Sequence, residues 1–397
     1  MSNASVSTAP AQKWADPKRF LWLLGPAVPA IGIAMLYVFM QTQAVWTLWF
    51  VVGLVHVILP MLDWLFGEDA ENPPDSALQG LESDRYYSWV LYAFVPLQLV
   101  VTVFGAWLAV TSDLPWYHVV GLALSVGMVN GIAINTSHEL GHKKDKLDRW
   151  LARISLAPTF YGHFYVEHNR GHHKNVATPE DPASSRFGES FWAFLPRTVI
   201  GSVRSAWHLE SERLARLGKG VWSTDNENLQ SWGMSVLLFA AVIAVLGWAA
   251  LPFLFIQAIY GFHLLEVVNY LEHYGLCRQK KADGRYERCE PEHSWNSNHM
   301  VTNLFLYHLQ RHSDHHANPT RKYQALRHFE NSPQLPSGYA GMITLAYFPP
   351  IWYAVMNKRV LAHYQGDMSR INWYAPRREA LMKRYADDAR QLAAQKA

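Results

Sequence analysis

Cysteine is nearly absent: Cys277 and Cys289 are the only two in 397 residues, and they form no Cys-x-x-Cys. That excludes a disulfide framework, a cysteine-rich zinc site and an iron–sulfur or rubredoxin-type centre within the chain. Net charge is also scarce. The formal balance is +3 and no Arg/Lys tract stands out, so nucleic acid is excluded as a partner. A cleavable signal peptide is not expected. Residues 1–17 are polar, no small-residue cleavage site follows the first apolar run, and that run is expected to stay as a span. No internal repeat stands out.

What the chain does hold is apolar and aromatic. A mean hydropathy of −0.07 suggests a soluble protein. It averages two populations, apolar runs with few charges and intervening stretches dense in Arg, Lys, Asp, Glu and His. Seventeen Trp, nineteen Tyr and eighteen Phe suit rings that anchor at membrane interfaces. A bilayer-spanning helix needs about 20 apolar residues. Residues 20–40, 45–66, 89–110 and 116–134 qualify. Residues 228–265 carry no Asp, Glu, Lys or Arg and are too long for one span; Gly247 and Pro252 mark a turn, which predicts a helical hairpin. The expected fold is an all-α membrane protein of six spans, paired as three hairpins, with a helical cap on the cytoplasmic side.

Charge in the loops sets the expected orientation. Loops 41–44, 111–115 and 247–252 hold no Lys or Arg, whereas Lys13, Lys18 and Arg19 precede the first span and both long segments, after Gly141 and after Leu276, are basic. The positive-inside rule then puts both termini in the cytoplasm. The acidic loop 67–87 weighs little, because acidic residues contribute little to the rule. The expected organisation is a cytoplasmic N-terminal segment 1–19, four spans over 20–142, a cytoplasmic segment 143–227, a hairpin over 228–276, a cytoplasmic cap 277–376 and a tail 377–397. Residues 178–182 read as a loop. Residues 338–356 are apolar but contain Pro349-Pro350, which favours a cap helix or interfacial element over a seventh span. The charged, Ala-rich tail reads as a helix leading to a frayed end.

Nine of the nineteen histidines fall in four clusters: His138-x3-His142, His168-x3-His172-His173, His312-x2-His315-His316, and His273 in NYLEHYGL. Residues three or four apart share a helical face, so each of the first three clusters can aim at least two imidazoles at one point. Neutral imidazole is the commonest protein metal ligand. One ion holds about four ligands if zinc and about six if octahedral, so nine histidines suggest two metal ions. His138 lies 22 residues beyond Trp116 and His273 lies 21 beyond Pro252. Each path rises about 30 Å, one hydrocarbon thickness, so all four clusters meet at the cytoplasmic face.

The pentapeptide His138-Glu139-Leu140-Gly141-His142 also matches the zincin pattern, in which Glu is the general base of a zinc protease. That reading leaves most of the clustered histidines without a role, since an open zinc site uses three protein ligands. Iron suits imidazole and has the redox chemistry that oxygen activation needs and zinc lacks. Neutral ligands leave the metal pair more positive than carboxylates would, which favours a strong hydrogen-atom abstractor.

Together HELGHKK, EHNRGHH, LQRHSDHH and NYLEHYGL resemble the histidine boxes of the integral-membrane alkane 1-monooxygenases, or alkane hydroxylases. NPPD, GHKKDKLDRW, VATPEDPASSR, DNENLQ, DGRYE, HSWNSNH and ANPTRKYQ are similar to that family as well. The likeness runs from about the second span to about Pro376. Three boxes alone also fit fatty-acyl desaturases and other lipid or aromatic membrane hydroxylases; NYLEHYGL and the flanking phrases favour alkane hydroxylase. The resemblance implies that His138, His142, His168, His172, His173, His273, His312, His315 and His316 bind two non-haem iron ions. It implies terminal hydroxylation of a medium-chain n-alkane with O2, on electrons from rubredoxin, itself reduced by an NADH-dependent reductase. With no Cys-x-x-Cys here, the donor must be a separate protein or a domain outside this chain. Rubredoxins are typically acidic, so Lys143, Lys144, Lys146, Arg149 and Arg278 are docking candidates. Alkane dissolved in the bilayer is expected to enter a cavity between the spans.

Other polar residues flank the boxes. Asn135 and Asn269 precede His138 and His273 by one turn, and Glu139, Glu167, Glu272 and Asp314 adjoin the boxes. These, with His163 and with Asp181 of Pro179-Glu180-Asp181-Pro182, are expected to orient ligand rings, since metal-bound histidines nearly always donate their other N–H. A carboxylate bridging the metals is the alternative. His263 and Glu266 lie three apart inside the sixth span, either bonded to each other or functional. The remaining histidines read as structural or surface residues.

Overall fold

The structure is a computed structural model that describes residues 14–395. Lys13 and the rest of the N-terminal segment before Trp14, and the last two residues of the tail, lie outside the described residues. Six helices are long and apolar enough to cross a membrane. Four come first: α1 (Leu21–Thr42), α2 (Val45–Phe66), α3 (Arg85–Thr111) and α4 (Trp116–Gly141). Two further helices, α5 (Lys146–Ser155) and α6 (Phe191–Arg216), precede the last two spans, α7 (Glu227–Leu246) and α8 (Trp248–Glu272).

Local chemistry sets the helix ends. Asp84 accepts the Tyr86 N–H at 2.8 Å, so α3 starts at Arg85, before the apolar run begins. Asn226 accepts from the Asn228 and Leu229 N–H groups and starts α7. Gly247, at φ 79°, ends α7, and Pro252 sits in the first turn of the helix that follows. In α2 the helix widens to a π-turn over Leu54–Ile58, just before Pro60, which has no N–H to give the ladder.

The bundle is organised around α4. Its most apolar window is 83% buried, against 22% for α7. It packs closely on α8, because a Cβ on Gly127 would lie 2.6 Å from the Gln257 carbonyl oxygen and one on Gly131 would lie 2.8 Å from that of Gly261. Small residues at such crossings let helix backbones approach within the membrane. Beside them Asn130 donates to Gln257 at 2.6 Å, and Gln257 donates to the Pro158 carbonyl at 2.7 Å. The polar groups inside the bundle thus bond to one another and hold α4, α8 and the 157–159 turn in register.

Two rims of tryptophan mark the span ends. Trp46, Trp116 and Trp248 are exposed where α2, α4 and α8 begin, and Trp64, Trp89 and Trp222 are exposed toward the opposite ends of the bundle. As the return arms of their hairpins, α4 and α8 run the same way and deliver His138 and His273 to one end.

That end is closed by the remaining chain, which contains α9 (His312–Ala317), α10 (Tyr339–Ala346) and α11 (Pro349–His363). The apolar stretch 338–356 is no seventh span. It divides at Tyr347-Phe348 ahead of the two prolines, and its helices of 8 and 15 residues rise only about 12 and 23 Å. The tail is helical, as expected, and it packs on the rest of the chain. Its helices Arg378–Arg384 and Ala386–Ala394 are docked, with Leu381, Tyr385 and Ala389 buried and the Asn357 amide donating to the Tyr385 hydroxyl at 3.0 Å. Among the described residues there is no strand, only isolated bridges that clip loops together, such as Phe187 with Trp373.

Candidate metal centre

The nine clustered histidines converge at the end of the bundle as two neighbouring groups. His138, His142, His168, His173 and His315 form one; His172, His273, His312 and His316 form the other. Within each, one ring nitrogen per residue lies within 4.8 Å of the others. The grouping cuts across the sequence clusters. His138 and His142, four apart on α4, share the first group as expected, and His312 and His316 share the second. The second box differs: His168 and His172 do not share a group.

The backbone explains that split. Residues His168–His172 form a π-turn between short α-helical segments, Phe164–Glu167 and His173–Asn175. Hydrogen bonds from i to i+5 bring His168 above His173 rather than above His172. The His168 and His173 Nε2 atoms are 3.1 Å apart, while His172 turns to the second group, 3.3 Å from His316 Nε2. His315 likewise turns away from His312 and His316 to meet His138 at 2.8 Å and His173 at 3.2 Å. Adjacent residues, His172-His173 and His315-His316, thus join the two groups.

The donor set fits a cation in each group. Rings approaching Nε2 to Nε2 at 2.8–3.3 Å have at most one proton to share per pair. Six-coordinate geometry with bonds of about 2.1 Å puts adjacent ligand atoms about 3.0 Å apart, close to these separations. Burial and the neighbouring imidazoles hold His142, His168, His173, His312, His315 and His316 well below the ordinary histidine pKa, and burial takes His273 to about 3. Those seven rings are therefore neutral, which is the metal-binding form.

Of the flanking residues, Asp181 sits where a ring-orienting group belongs. It accepts from His172 Nδ1 at 2.9 Å, from the Ser184 hydroxyl at 2.6 Å and from the Ala183 N–H at 3.1 Å. Burial opposes its charge, but the His172 ring and the Ser184 hydroxyl keep its carboxyl below the usual range; Asp181 in turn raises His172 against the effect of burial. Glu167, fully buried and near the Asp181 charge, is pushed up to about 8 and is bonded to Ser205. Glu272 reaches the ligand side, its Oε2 3.3 Å from His312 Nε2.

The other flanking residues have different partners. Asp314 is held by Arg321 through two bonds of 2.6 Å and accepts from the Arg327 N–H. Glu139 pairs at 3.3 Å with Lys143, just past the end of its helix; a zincin needs that carboxylate at the metal. Asn135 donates to the Leu306 carbonyl at 2.7 Å and Asn269 to Glu266. His163 packs against Tyr161 and Trp232. His263 and Glu266 do not bond to each other: Glu266 accepts from Tyr161 at 2.6 Å and Thr198 at 2.8 Å, while His263 stacks with Trp192, Tyr260 and Tyr347.

Two supports were invisible in the sequence. His273 Nδ1 lies 3.2 Å from the His293 carbonyl oxygen, a backbone group that no side-chain pattern reveals. Arg311, fully buried beside the third box, donates to the Leu326, Asp69 and Glu71 carbonyls and ties the stretch just after α2 to the start of α9. Among the basic residues, Lys143 is bound to Glu139 and the Arg321 carbonyl, and Arg278 to the Glu287 and Lys174 carbonyls; Lys144 and Lys146 are exposed and Arg149 is half-buried.

A narrow apolar cavity of about 50 Å³ runs into the centre from the bundle. Its walls include Val55 and Leu59 of α2, Leu264 and Val268 of α8, and Ile343 of α10. His138 and His168 of the first group and His312 of the second all line it, so one cavity reaches both groups.

Comparison with known proteins agrees with this geometry. The fatty acid desaturase family model matches residues 114–346, the stretch holding all nine histidines. The alkane 1-monooxygenase of Acinetobacter baylyi is 48% identical over 96% of this chain and 94% of its own length. That of Pseudomonas putida is 46% identical over 98% of each chain. The xylene/toluene monooxygenase hydroxylase component of Pseudomonas putida is 29% identical over 60% of this chain and 64% of its own. With that much identity over nearly the full length of both chains, this six-span, histidine-rich protein belongs to the alkane 1-monooxygenase family.

Proposed function

We propose that this protein hydroxylates the terminal methyl group of medium-chain n-alkanes, using O2 and two electrons delivered by rubredoxin at a pair of non-haem irons. The overall reaction, RH + O2 + 2e⁻ + 2H⁺ → ROH + H2O, gives a primary alcohol. The observation that carries this reading is the apolar cavity that ends on imidazoles of both groups. Iron bound by these imidazoles supplies redox-driven oxygen activation, which zinc cannot.

The chain's own residues do the rest. Val55, Leu59, Leu264, Val268 and Ile343 offer a hydrocarbon nothing to hydrogen-bond, so the cavity selects an apolar chain, excludes water and directs its end toward the histidines. Asp181 fixes the His172 ring through Nδ1 and leaves Nε2 facing the second group. His142 and His173 are half-buried, unlike their partners, which supports electron entry at their edge. An acidic rubredoxin, reduced in turn by an NADH-dependent reductase, would dock there against Lys144, Lys146 and Arg149. Loop charge supports a cytoplasmic position for this face and for both termini in a bacterial inner membrane.

The test is turnover of octane by the protein in lipid nanodiscs, with O2, rubredoxin, its reductase and NADH, followed by product and metal analysis. The expected result is 1-octanol, with iron in both groups. An alkene formed from an acyl chain instead would assign the scaffold to desaturation. A single zinc with no oxygen consumption would remove the oxidative reading altogether.

A further inference from the structure

We infer that hydrocarbon enters the cavity sideways from the bilayer, through the seam where α2, α8 and α10 meet, and that His56 is the latch of that seam. The inference rests on the alkane reading above, because it takes the substrate to be dissolved in the membrane.

His56 bridges three walls of the cavity at once. From α2, its Nδ1 lies 2.9 Å from the Thr344 hydroxyl of α10 and its Nε2 lies 3.0 Å from the Tyr260 hydroxyl of α8. Each wall contributes apolar residues on its inner side: Val55 and Leu59 from α2, Leu264 from α8, Ala340 and Ile343 from α10. On the outer side Val57 and Met61 of α2 are 55% and 63% exposed and Ile259 of α8 is 52% exposed, as lipid-facing residues should be. The α2 and α8 walls thus face the cavity on one side and lipid on the other, and His56 with its two hydroxyl partners is a polar cluster set between them.

The local backbone suits a moving part. His56 is the middle residue of the π-turn Leu54–Ile58, and Pro60 follows without an N–H for the ladder. Wide turns of this kind recur at functional positions within helices. Opposite it, α10 is a short helix pinned at its start and meeting His56 near its end. At the pinned end Gly338 packs so closely on Asp63 of α2 that a Cβ would lie 2.1 Å from the carboxylate, and the Tyr339 N–H donates to Gln310 at 2.6 Å. At the other end, before the break at Tyr347-Phe348, Thr344 meets His56. Two hydroxyls suit either tautomer of the ring, since each can give or take a proton, so the bonds can break and re-form without a change of charge. His56 is also an ionisable residue within a span, and such residues are functional candidates by default.

The experiment locks and unlocks the seam and reads entry directly, apart from turnover. His56→Cys with Thr344→Cys, in a Cys277→Ser and Cys289→Ser background, is placed in phosphatidylcholine nanodiscs with a dodecyl diazirine. After brief illumination the labelled residues are mapped by peptide mass spectrometry. The reduced form should take label at Leu264 and Ile343, and oxidation of the cysteine pair should slow that labelling about tenfold, while lipid-facing Val57 and Ile259 are labelled equally in both. In a second variant, His56→Ala, the cavity should label several-fold faster than in the wild type. Equal cavity labelling in the oxidised and reduced forms overturns the latch. If the cysteine pair does not close, His56→Ala decides, and a cavity labelling rate no higher than the wild type overturns it. An unlabelled cavity in the wild type, with Val57 and Ile259 labelled, overturns both the alkane reading and the side entrance.

Discussion

The two histidine groups lie side by side, yet their settings differ. The group of five takes two rings from the end of α4, two from the π-turn region and one from α9, and two of its members, His142 and His173, are half-buried. The group of four is buried throughout and gathers His172, His273, His312 and His316 from three separate stretches of chain. The bracing differs as well. Asp181 on His172 and the His293 carbonyl on His273 both serve the buried group, and Glu272 stands beside it at His312. On the proposed reading, one group has a spare ligand and an edge toward the surface, and the other has fewer ligands held by the surrounding chain. Electron entry suits the first and fixed geometry suits the second.

The strongest way to break that comparison is to remove one ring from each group. His316→Ala leaves three imidazoles in the buried group, and iron should fall from about two per chain to about one with loss of alcohol formation. His142→Ala leaves four in the other group, so iron should stay near two while turnover slows. Iron analysis and product yield on the same samples decide it. Equal iron loss in both variants would mean that ligand number and burial do not distinguish the groups.

A smaller effect separates the two buried aspartates near the boxes. Asp181→Asn removes the charged acceptor of His172 and should weaken metal retention by about 10–100-fold in chelator competition. Asp314→Asn breaks the pairing with Arg321 and should cost stability, on the order of 3 kcal/mol, with little change in metal retention. Thermal melts of the metal-free protein, run beside the chelator titrations, test both. A large metal effect from Asp314→Asn would give Asp314 the ring-orienting role that its hydrogen bonds now assign elsewhere.

These two residues also mark how far the sequence could be read. Apolar runs of the right length are a strong signal, because a bilayer demands them whatever the packing, and the six spans followed. The nine histidines were visible because their chemistry is distinctive, and the depth of His138 and His273 in their spans predicted a shared end. Which rings face one another was not legible. Helical spacing paired His168 with His172, but a π-turn gives the backbone another period, and no residue type announces one. Nor does a carboxylate next to a box declare its direction: Asp181 turns inward to His172, while Glu139 and Asp314 turn to Lys143 and Arg321. Backbone acceptors such as the His293 carbonyl carry no sequence signal, since every residue has one.

The mildest test concerns the exposed edge of the group of five. Lys144 and Lys174 are both exposed, two residues after His142 and one after His173, and Lys174 emerged only from the structure. Reversing both charges, Lys144→Glu with Lys174→Glu, should raise the apparent KM for rubredoxin several-fold at low salt and leave kcat nearly unchanged, because docking is altered and the histidines are not. Surface charges are screened over about 8 Å at physiological ionic strength, so the difference should shrink as salt is added. Lys143→Glu is a poor substitute, since it sets two carboxylates together at Glu139 and disturbs α4 itself. A KM unmoved at every ionic strength would mean that electrons do not arrive over His142 and His173. The partial exposure of those two residues would then need another explanation, and the division of labour between the groups would rest on ligand count and bracing alone.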